Sequence, residues 1–252
     1  MELGLKGARA LVTGGGRGIG KAIARSLALE GADVVIAARG AEALAATAGL
    51  LSAETGRRVL PVVVDTSQRS QVDALVAAAV AALGGLDIVV NAAAVPGGAS
   101  VAGVLDAGAE AGIVEDFDVK VLGYLRVAQA AAPHLLRSQA GRIVNIGGLA
   151  ALRTGRPAAT LRNIGVAALS KTLADELGPR GVLVFAVHPG ATRTERTDAA
   201  SAARAGQSNA LDRIVEAEEI ADLVAFLASR RSAALNGATL HAGGGSPGHI
   251  QY

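Results

Sequence analysis

The chain has 252 residues, 51% of them hydrophobic and 18% charged, enough for one α/β domain or two small ones with ample core. A formal net charge of +2 and an aromatic content of 2% argue against nucleic-acid binding, which draws on basic patches and stacking rings. With no cysteine there are no disulfides, no thiolate catalysis and no Cys-ligated zinc; His134, His188, His241 and His249 lie far apart, so no metal site is expected.

In chain order, Ala8 to Thr13 is a short apolar run that predicts a buried strand, and Lys21 to Leu29 carries apolar residues at helical spacing. Between them lies the Gly-rich turn Thr13-Gly-Gly-Gly-Arg-Gly-Ile-Gly20. The alternation continues with a strand over Asp33 to Ala38, ended by Arg39 and Gly40, and a helix over Ala41 to Glu54. A strand over Arg58 to Val64 closes on Asp65, a helix over Gln68 to Leu83 ends at Gly84-Gly85, and Leu86 to Asn91 is a fourth strand. After a loop rich in Gly and Ala, one long helix is predicted over Ile113 to Arg137. Arg142 to Ile146, Gly181 to Val187 and Ala238 to His241 read as strands, Pro157 to Leu177 and Glu216 to Ser229 as helices. Continuous apolar strands alternating with helices predict a Rossmann-type doubly wound parallel sheet of about seven strands, helices on both faces, in a single domain over 1–252. Ligands of such sheets bind beyond the strands' carboxyl ends, where Thr13, Arg39, Asp65, Asn91, Gly147 and Pro189 fall. No apolar segment is long enough to span a bilayer, and Met1 to Lys6 lacks a signal-peptide pattern, so a soluble cytoplasmic protein without membrane partners is expected.

A strand, a Gly turn and a helix in succession set the backbone N–H groups of Gly14, Gly16, Gly18 and Ile19 and the positive end of a helix dipole against an anion, for which a dinucleotide pyrophosphate is the usual occupant. An acidic residue at the end of the second strand would accept hydrogen bonds from ribose hydroxyls and repel a 2′-phosphate. Here Arg39 stands there, with Arg17 in the turn. Two guanidiniums suit a phosphate and favour NADP over NAD; a pair of solvated surface arginines is the alternative.

These stretches resemble the short-chain dehydrogenase/reductase family over essentially the whole chain. The Gly turn is similar to the family's Thr-Gly-x-x-x-Gly-x-Gly, and Asn91-Ala-Ala-Ala94 to its Asn-Asn-Ala-Gly, with Ala92 and Ala94 replacing Asn and Gly. Leu173-Ala-Asp-Glu-Leu-Gly178, Val187-His-Pro-Gly-Ala-Thr-Arg-Thr194 and Glu218-Glu-Ile-Ala221 resemble its downstream blocks. The resemblance implies that Asp65, next to Thr66, hydrogen-bonds the adenine amino group and that Asn91 lies along the adenosine ribose. It also implies that Pro189, Gly190, Thr192 and Thr194 approach the nicotinamide amide and the pyrophosphate. Members commonly assemble through the helices corresponding to 113–137 and 157–177, so a homodimer or homotetramer is expected.

The family protonates its alkoxide with a Tyr activated by a Lys four residues later, assisted by a Ser and an Asn. No Tyr-x-x-x-Lys exists here: the tyrosines are Tyr124 and Tyr252, the lysines Lys6, Lys21, Lys120 and Lys171. Aligned on Leu173 to Leu177, Ala159 takes the Tyr position, Asn163 the Lys position, Gly147-Gly148 the Ser position and Lys120 the Asn position. Losing one general acid costs about 10²–10⁴ in rate, so ordinary ketoreductase activity should be negligible. Lys120 is the candidate replacement acid or anion-binding group, alone or with Tyr124 four residues on; the alternatives are a solvated or ion-paired Lys120 and a Tyr124 packed in the core or a subunit interface. His188 is a further candidate for titration near neutral pH, a hydrogen-bonded loop side chain being the alternative; Arg153, Arg156 and Arg162 suit an anionic ligand or are solvated near a helix start; and Gly243 to Tyr252 forms a tail that either caps the site or reaches a neighbour. Three readings follow: a cofactor-binding protein with unusual or weak chemistry on a small molecule, an inert cofactor- or metabolite-binding sensor, scaffold or partner subunit, and a bare fold with an empty cradle.

Overall fold

The computed structural model describes residues 2–95 and 103–246. Among them, β1 (Arg9–Thr13), β2 (Asp33–Ala38), β3 (Val59–Val63), β4 (Ile88–Asn91), β5 (Arg142–Ile146), β6 (Leu183–Pro189) and β7 (Thr239–Ala242) form one sheet in the order β3-β2-β1-β4-β5-β6-β7. Every pairing is parallel. The strands are linked by α1 (Gly18–Leu29), α2 (Ala41–Thr55), α3 (Arg69–Leu83), α4 (Ala109–Phe117), α5 (Gly123–Leu135), α6 (Pro157–Leu177), α7 (Ala199–Gly206) and α8 (Ala217–Ala228). Alternation along the strands divides the core: Val34, Ile36 and Val90 pack with α1, α2 and α8 on one face, whereas Val35, Val89 and Ile143 pack with α3, α5 and α6 on the other. Both faces are therefore covered, which explains why the strands read as continuous apolar runs. The sheet order reverses beside β1, between its partners β2 and β4, and a crevice opens there at the carboxyl edge.

The expected doubly wound sheet is present, with strand ends moved by one or two residues. Leu86 and Asp87 precede β4 instead of opening it, and Asp87 is held by Arg9, whose Nε and backbone N donate to its carboxylate at 2.8 and 3.0 Å. Two departures matter for the site. The helix expected over 113–137 begins at Ala109 and is interrupted by a π turn, Asp118–Leu122, in which the Gly123 N–H bonds the Asp118 carbonyl five residues back. Arg126 also donates to that carbonyl at 3.2 Å, so tertiary contact helps to hold the displaced turn. A short helix, α7, stands where none was expected, capped by Asp198 accepting the Ser201 N–H at 2.7 Å. Of the tail from Gly243 to Tyr252, expected to cap the site or reach a neighbour, Gly243 and Ser246 line a cleft at the carboxyl edge, while the part beyond Ser246 lies outside the described residues, as does much of the Gly/Ala loop after β4.

Two glycines of the first turn are dictated by crowding. A Cβ on Gly14 would lie 2.6 Å from the Ala92 carbonyl oxygen, and one on Gly20 would lie 2.2 Å from that of Gly14. The first lets β1 approach the end of β4; the second seats α1 against its own turn. Gly20→Ala is expected to destabilise the protein by about 1–3 kcal/mol, the range for overpacking, read as a lowered midpoint in thermal or urea unfolding.

Candidate functional site

Two clefts open at the carboxyl edge of the sheet and share a wall. The outer one, about 400 Å³, runs over the Gly turn and the ends of β1, β2, β3 and β4; the inner one, about 900 Å³, runs over the end of β5, the start of α6 and the segment after β6. Ile19, Lys120 and Gly147 line both.

The outer cleft gathers Gly14, Gly16, Arg17, Gly18, Ile19, Arg39, Asp65, Thr66 and Thr194. Arg17 and Arg39 are exposed on its wall. Asp65 is held below the usual carboxylate range by the Ser67 backbone N–H, with the charges of Arg39 and Arg126 adding to the effect. One of its oxygens accepts both Ser67 bonds, at 2.9 and 2.8 Å. The Gly18 N–H at the start of α1 is occupied by the Glu195 carboxylate at 3.0 Å, with Lys21 Nζ 3.8 Å from its other oxygen. A carboxylate from the segment after β6 thus occupies the anion position at the positive end of the helix dipole. The sequence reading missed Glu195, and its position directly after Thr194 was the available signal.

Four expected cofactor contacts, Asn91, Thr192, Pro189 and Gly190, are placed differently. Asn91 is fully buried and donates its Nδ2 to Asn145 Oδ1 at 2.9 Å; Asn145 donates to Ser170 Oγ at 2.9 Å, and Ser170 to the Val166 carbonyl. Its side chain links β4 to β5, and through Asn145 to α6, and does not line the cleft, because its Nδ2 finds a buried partner on the neighbouring strand; its buried Oδ1 has no hydrogen-bond partner. Thr192 turns its hydroxyl back onto the Gly190 carbonyl at 3.1 Å. Pro189 and Gly190 line the inner cleft instead of the outer one.

At the shared wall, Lys120 is 5% exposed and donates to the Gly147 carbonyl at 3.0 Å. Burial, reinforced by the charge of Arg162 and opposed by Asp116, brings its pKa down to about 7. Arg162 and Asp116 form an ion pair at 2.6 Å between α6 and α4 that the sequence did not reveal. Tyr124 does not form a unit with Lys120. Its hydroxyl, 3.0 Å from the carbonyls of both Ala93 and Ile146, donates its one proton within the core, and burial raises its pKa. It braces the ends of β4 and β5. His188 is not a neutral-pH group either. It is 1% exposed, its Nδ1 proton goes to the Gly148 carbonyl at 2.9 Å, and burial drives its pKa down to about 4. His134 lies in the last turn of α5 beside Arg137, at 2.8 Å.

Gly148, Ala159 and Asn163 converge on the inner cleft. Asn163 Nδ2 donates to the Ala159 carbonyl at 2.9 Å, while its buried Oδ1 has no partner. A Cβ on Gly148 would meet only the Asn163 amide, at 3.2 Å, whereas one on Gly147 would press on the buried His188 ring at 2.8 Å. Gly148→Ser should therefore leave the thermal midpoint close to that of the parent, and Gly147→Ser should destabilise by about 1–3 kcal/mol.

Lys120 also makes stability depend on pH. The folded state holds its ammonium only below about 7, the unfolded state up to 10.5. Between those values the unfolded chain binds the extra proton, so the parent gains stability with rising pH by up to about 1.4 kcal/mol per pH unit. Lys120→Met, which leaves the facing Asp116, Arg162 and His188 in place, should remove that slope in urea titrations across the same window.

A family model described as enoyl-(acyl carrier protein) reductase matches residues 14–246. The chain is 34% identical over 249 residues to the short-chain reductase protein NovJ of Streptomyces niveus, covering 94% of this chain and 93% of the relative. It is 33% identical over 253 residues to the 3-oxoacyl-acyl-carrier-protein reductase FabG of Haemophilus influenzae, covering 96% and 98%. A short-chain dehydrogenase from Burkholderia cenocepacia, solved in complex with NADP, superposes with a TM-score of 0.86 at 37% identity, over 96% of this chain and 98% of that one. The L-sorbose reductase of Gluconobacter frateurii, solved with NADPH and L-sorbose, superposes at 0.90 with 28% identity, over 99% and 100%.

Proposed function

The chain belongs to the short-chain dehydrogenase/reductase family, and from that premise we propose that it is an NADP(H)-binding oxidoreductase in which Lys120 has taken over proton handling from a replaced catalytic set. The outer cleft fits the dinucleotide: Gly14 and Gly20 leave the turn bare, the Gly18 N–H already holds an anion in Glu195, and Arg17 and Arg39 offer bidentate donors for a 2′-phosphate. Bound there, the cofactor supplies or takes up a hydride. Asp65 and Thr66 lie where the adenosine end would be held, and Thr194 closes over Gly18.

The observation that carries this reading is the position of Lys120, a buried amine in the wall common to both clefts, with a pKa of about 7. A proton donor and acceptor is most effective when its pKa lies near the working pH, and a lysine reaches that value when desolvated and set beside another cation. Lys120 replaces the family's Asn, and Ala159, Asn163 and Gly148 replace its Tyr, Lys and Ser. The exchange retains an amine while removing the phenol and hydroxyl that polarise an ordinary ketone. Turnover of simple ketones is accordingly weak. Self-association completes the reading: Leu161 and Ile164 on α6, 46% and 47% exposed, and Val114 on α4 give an apolar face suited to a second copy.

Titration with NADPH, followed by nicotinamide fluorescence, should saturate below millimolar concentration; no binding there rejects the reading. Arg17→Ala with Arg39→Ala should weaken NADPH by about tenfold or more while changing NADH much less, the loss expected for charge-assisted bonds to one phosphate. Glu195→Gln should tighten both cofactors, since it removes the competing carboxylate. Lys120→Ala should abolish whatever single-turnover reduction a carbonyl panel detects. If turnover is unchanged in that variant, Lys120 carries no proton and the inert cofactor-binding reading replaces this one. Gly148→Ser, Ala159→Tyr and Asn163→Lys combined should restore NADPH-dependent ketone reduction if the remaining site is sound.

A further inference from the structure

The inner cleft carries more positive charge than proton transfer requires. Its wall contains Lys120, Arg153, Arg156 and Arg162, and among the described residues Asp116 is its one acidic side chain. Asp116 is paired with Arg162 at 2.6 Å and its charge also reaches Lys120, so three cations besides Arg162 share this one carboxylate of the wall, and neither Arg153 nor Arg156 is ion-paired with it. The two arginines lie at different places on the rim. Arg153 follows the turn after β5 and donates to Ser246 Oγ, which ties it across the cleft to the C-terminal segment. Arg156 is the N-cap residue of α6, a helix of 21 residues whose positive end points into the same space. Several cations around a low-dielectric concavity repel one another and raise the local potential, which an anion relieves.

The floor of the cleft is open where side chains would normally project. Gly148, Ala158 and Ala159 present no more than a methyl group, and the cleft holds about 900 Å³. In the same wall the Arg162 Nε and the Asn163 Oδ1 are buried without hydrogen-bond partners. Buried polar groups are almost always satisfied, so a wall with a donor and an acceptor left over is one that completes its bonding with a polar ligand after a small adjustment.

We propose that the inner cleft is a carboxylate site, and that the small molecule it takes is an oxo acid or hydroxy acid whose carboxylate is held by Arg153 and Arg156 while its oxygen-bearing carbon lies toward Lys120. The assignment of an oxo or hydroxy group rests on the function proposed above; the carboxylate grip does not. Arginine is suited to the grip because its planar fork meets both carboxylate oxygens, and its charge persists at any pH at which the protein is folded.

Levulinate and methyl levulinate test this, since they differ by one charge and share the ketone. Calorimetric titration of each into the NADPH-saturated protein and into the cofactor-free protein should show levulinate binding at least about tenfold tighter than the ester. Raising salt from about 50 to about 500 mM should erode that preference through screening. The paired variant Arg153→Gln with Arg156→Gln should reduce it to about twofold or less while keeping the melting temperature, and a loss that tracks unfolding is identified by the same melt. Equal binding of acid and ester, or an acid preference that survives in the variant, overturns the proposal. Inorganic phosphate binding as tightly as levulinate overturns the assignment to carboxylates. Levulinate binding in a protein that never binds NADPH upholds the carboxylate site and rejects the cofactor reading; NADPH binding without levulinate binding does the reverse.

Discussion

Close backbone approach at the reversal point of the sheet is the constraint on which the rest of this molecule depends. β1 pairs with β2 on one side and β4 on the other, and just beyond its end Gly14 passes so near the Ala92 carbonyl that no side chain fits. Gly20 then lets α1 fold back against Gly14. Those two contacts open the crevice, aim the N-terminus of α1 into it, and place the ends of β2 and β3, with Arg39 and Asp65, along one wall. The Ala92 N–H is held in turn by the Thr13 carbonyl and hydroxyl, at 3.1 and 3.2 Å.

A second set of contacts sorts the polar groups around β4 and β5 into bracing and reactive ones. Asn91, Asn145, Ser170 and Tyr124 make their hydrogen bonds inside the protein, and His188 is kept neutral by burial, which outweighs the opposing effect of its bond to the Gly148 carbonyl. These residues look chemically active in one dimension and are structural in three. Lys120 differs because its single hydrogen bond, to the Gly147 carbonyl, leaves a buried amine in the wall shared by two clefts. Lys120 is the middle residue of the π turn from Asp118 to Leu122, a local departure from α geometry of the kind found at functional positions. Burial chiefly sets its protonation; Arg162 adds to the effect, and Asp116, already paired with Arg162, only partly opposes it.

The outer cleft keeps its bare turn, with Arg17 and Arg39 on its wall, while the inner cleft is lined by Gly148, Ala159 and Asn163 together with Lys120, Arg153, Arg156 and Arg162. Glu195 connects the two, since it belongs to the segment following β6 yet sits on the first N–H of α1.

Much of this was legible in the sequence. Continuous apolar runs alternating with helical periodicity suffice to specify a parallel sheet covered on both faces, because burial on both sides removes the polar alternation that a half-exposed strand would show. β2, β5 and α6 were read with their bounds unchanged. The lack of a Tyr-x-x-x-Lys pair is equally a property of the sequence, since there are too few tyrosines and lysines for any alignment to supply one. Tertiary structure alone decided which side chains face the clefts. Hydrogen-bond partners distant in sequence turned Asn91 and Tyr124 inward, a carbonyl 40 residues away fixed the His188 tautomer, and Arg126 reached across to the Asp118 carbonyl at the turn that breaks the long helix. Periodicity reports which face of an element is apolar; it carries no information about where a polar group finds its partner, and at the carboxyl edge of this sheet that choice separates a brace from a reactive group.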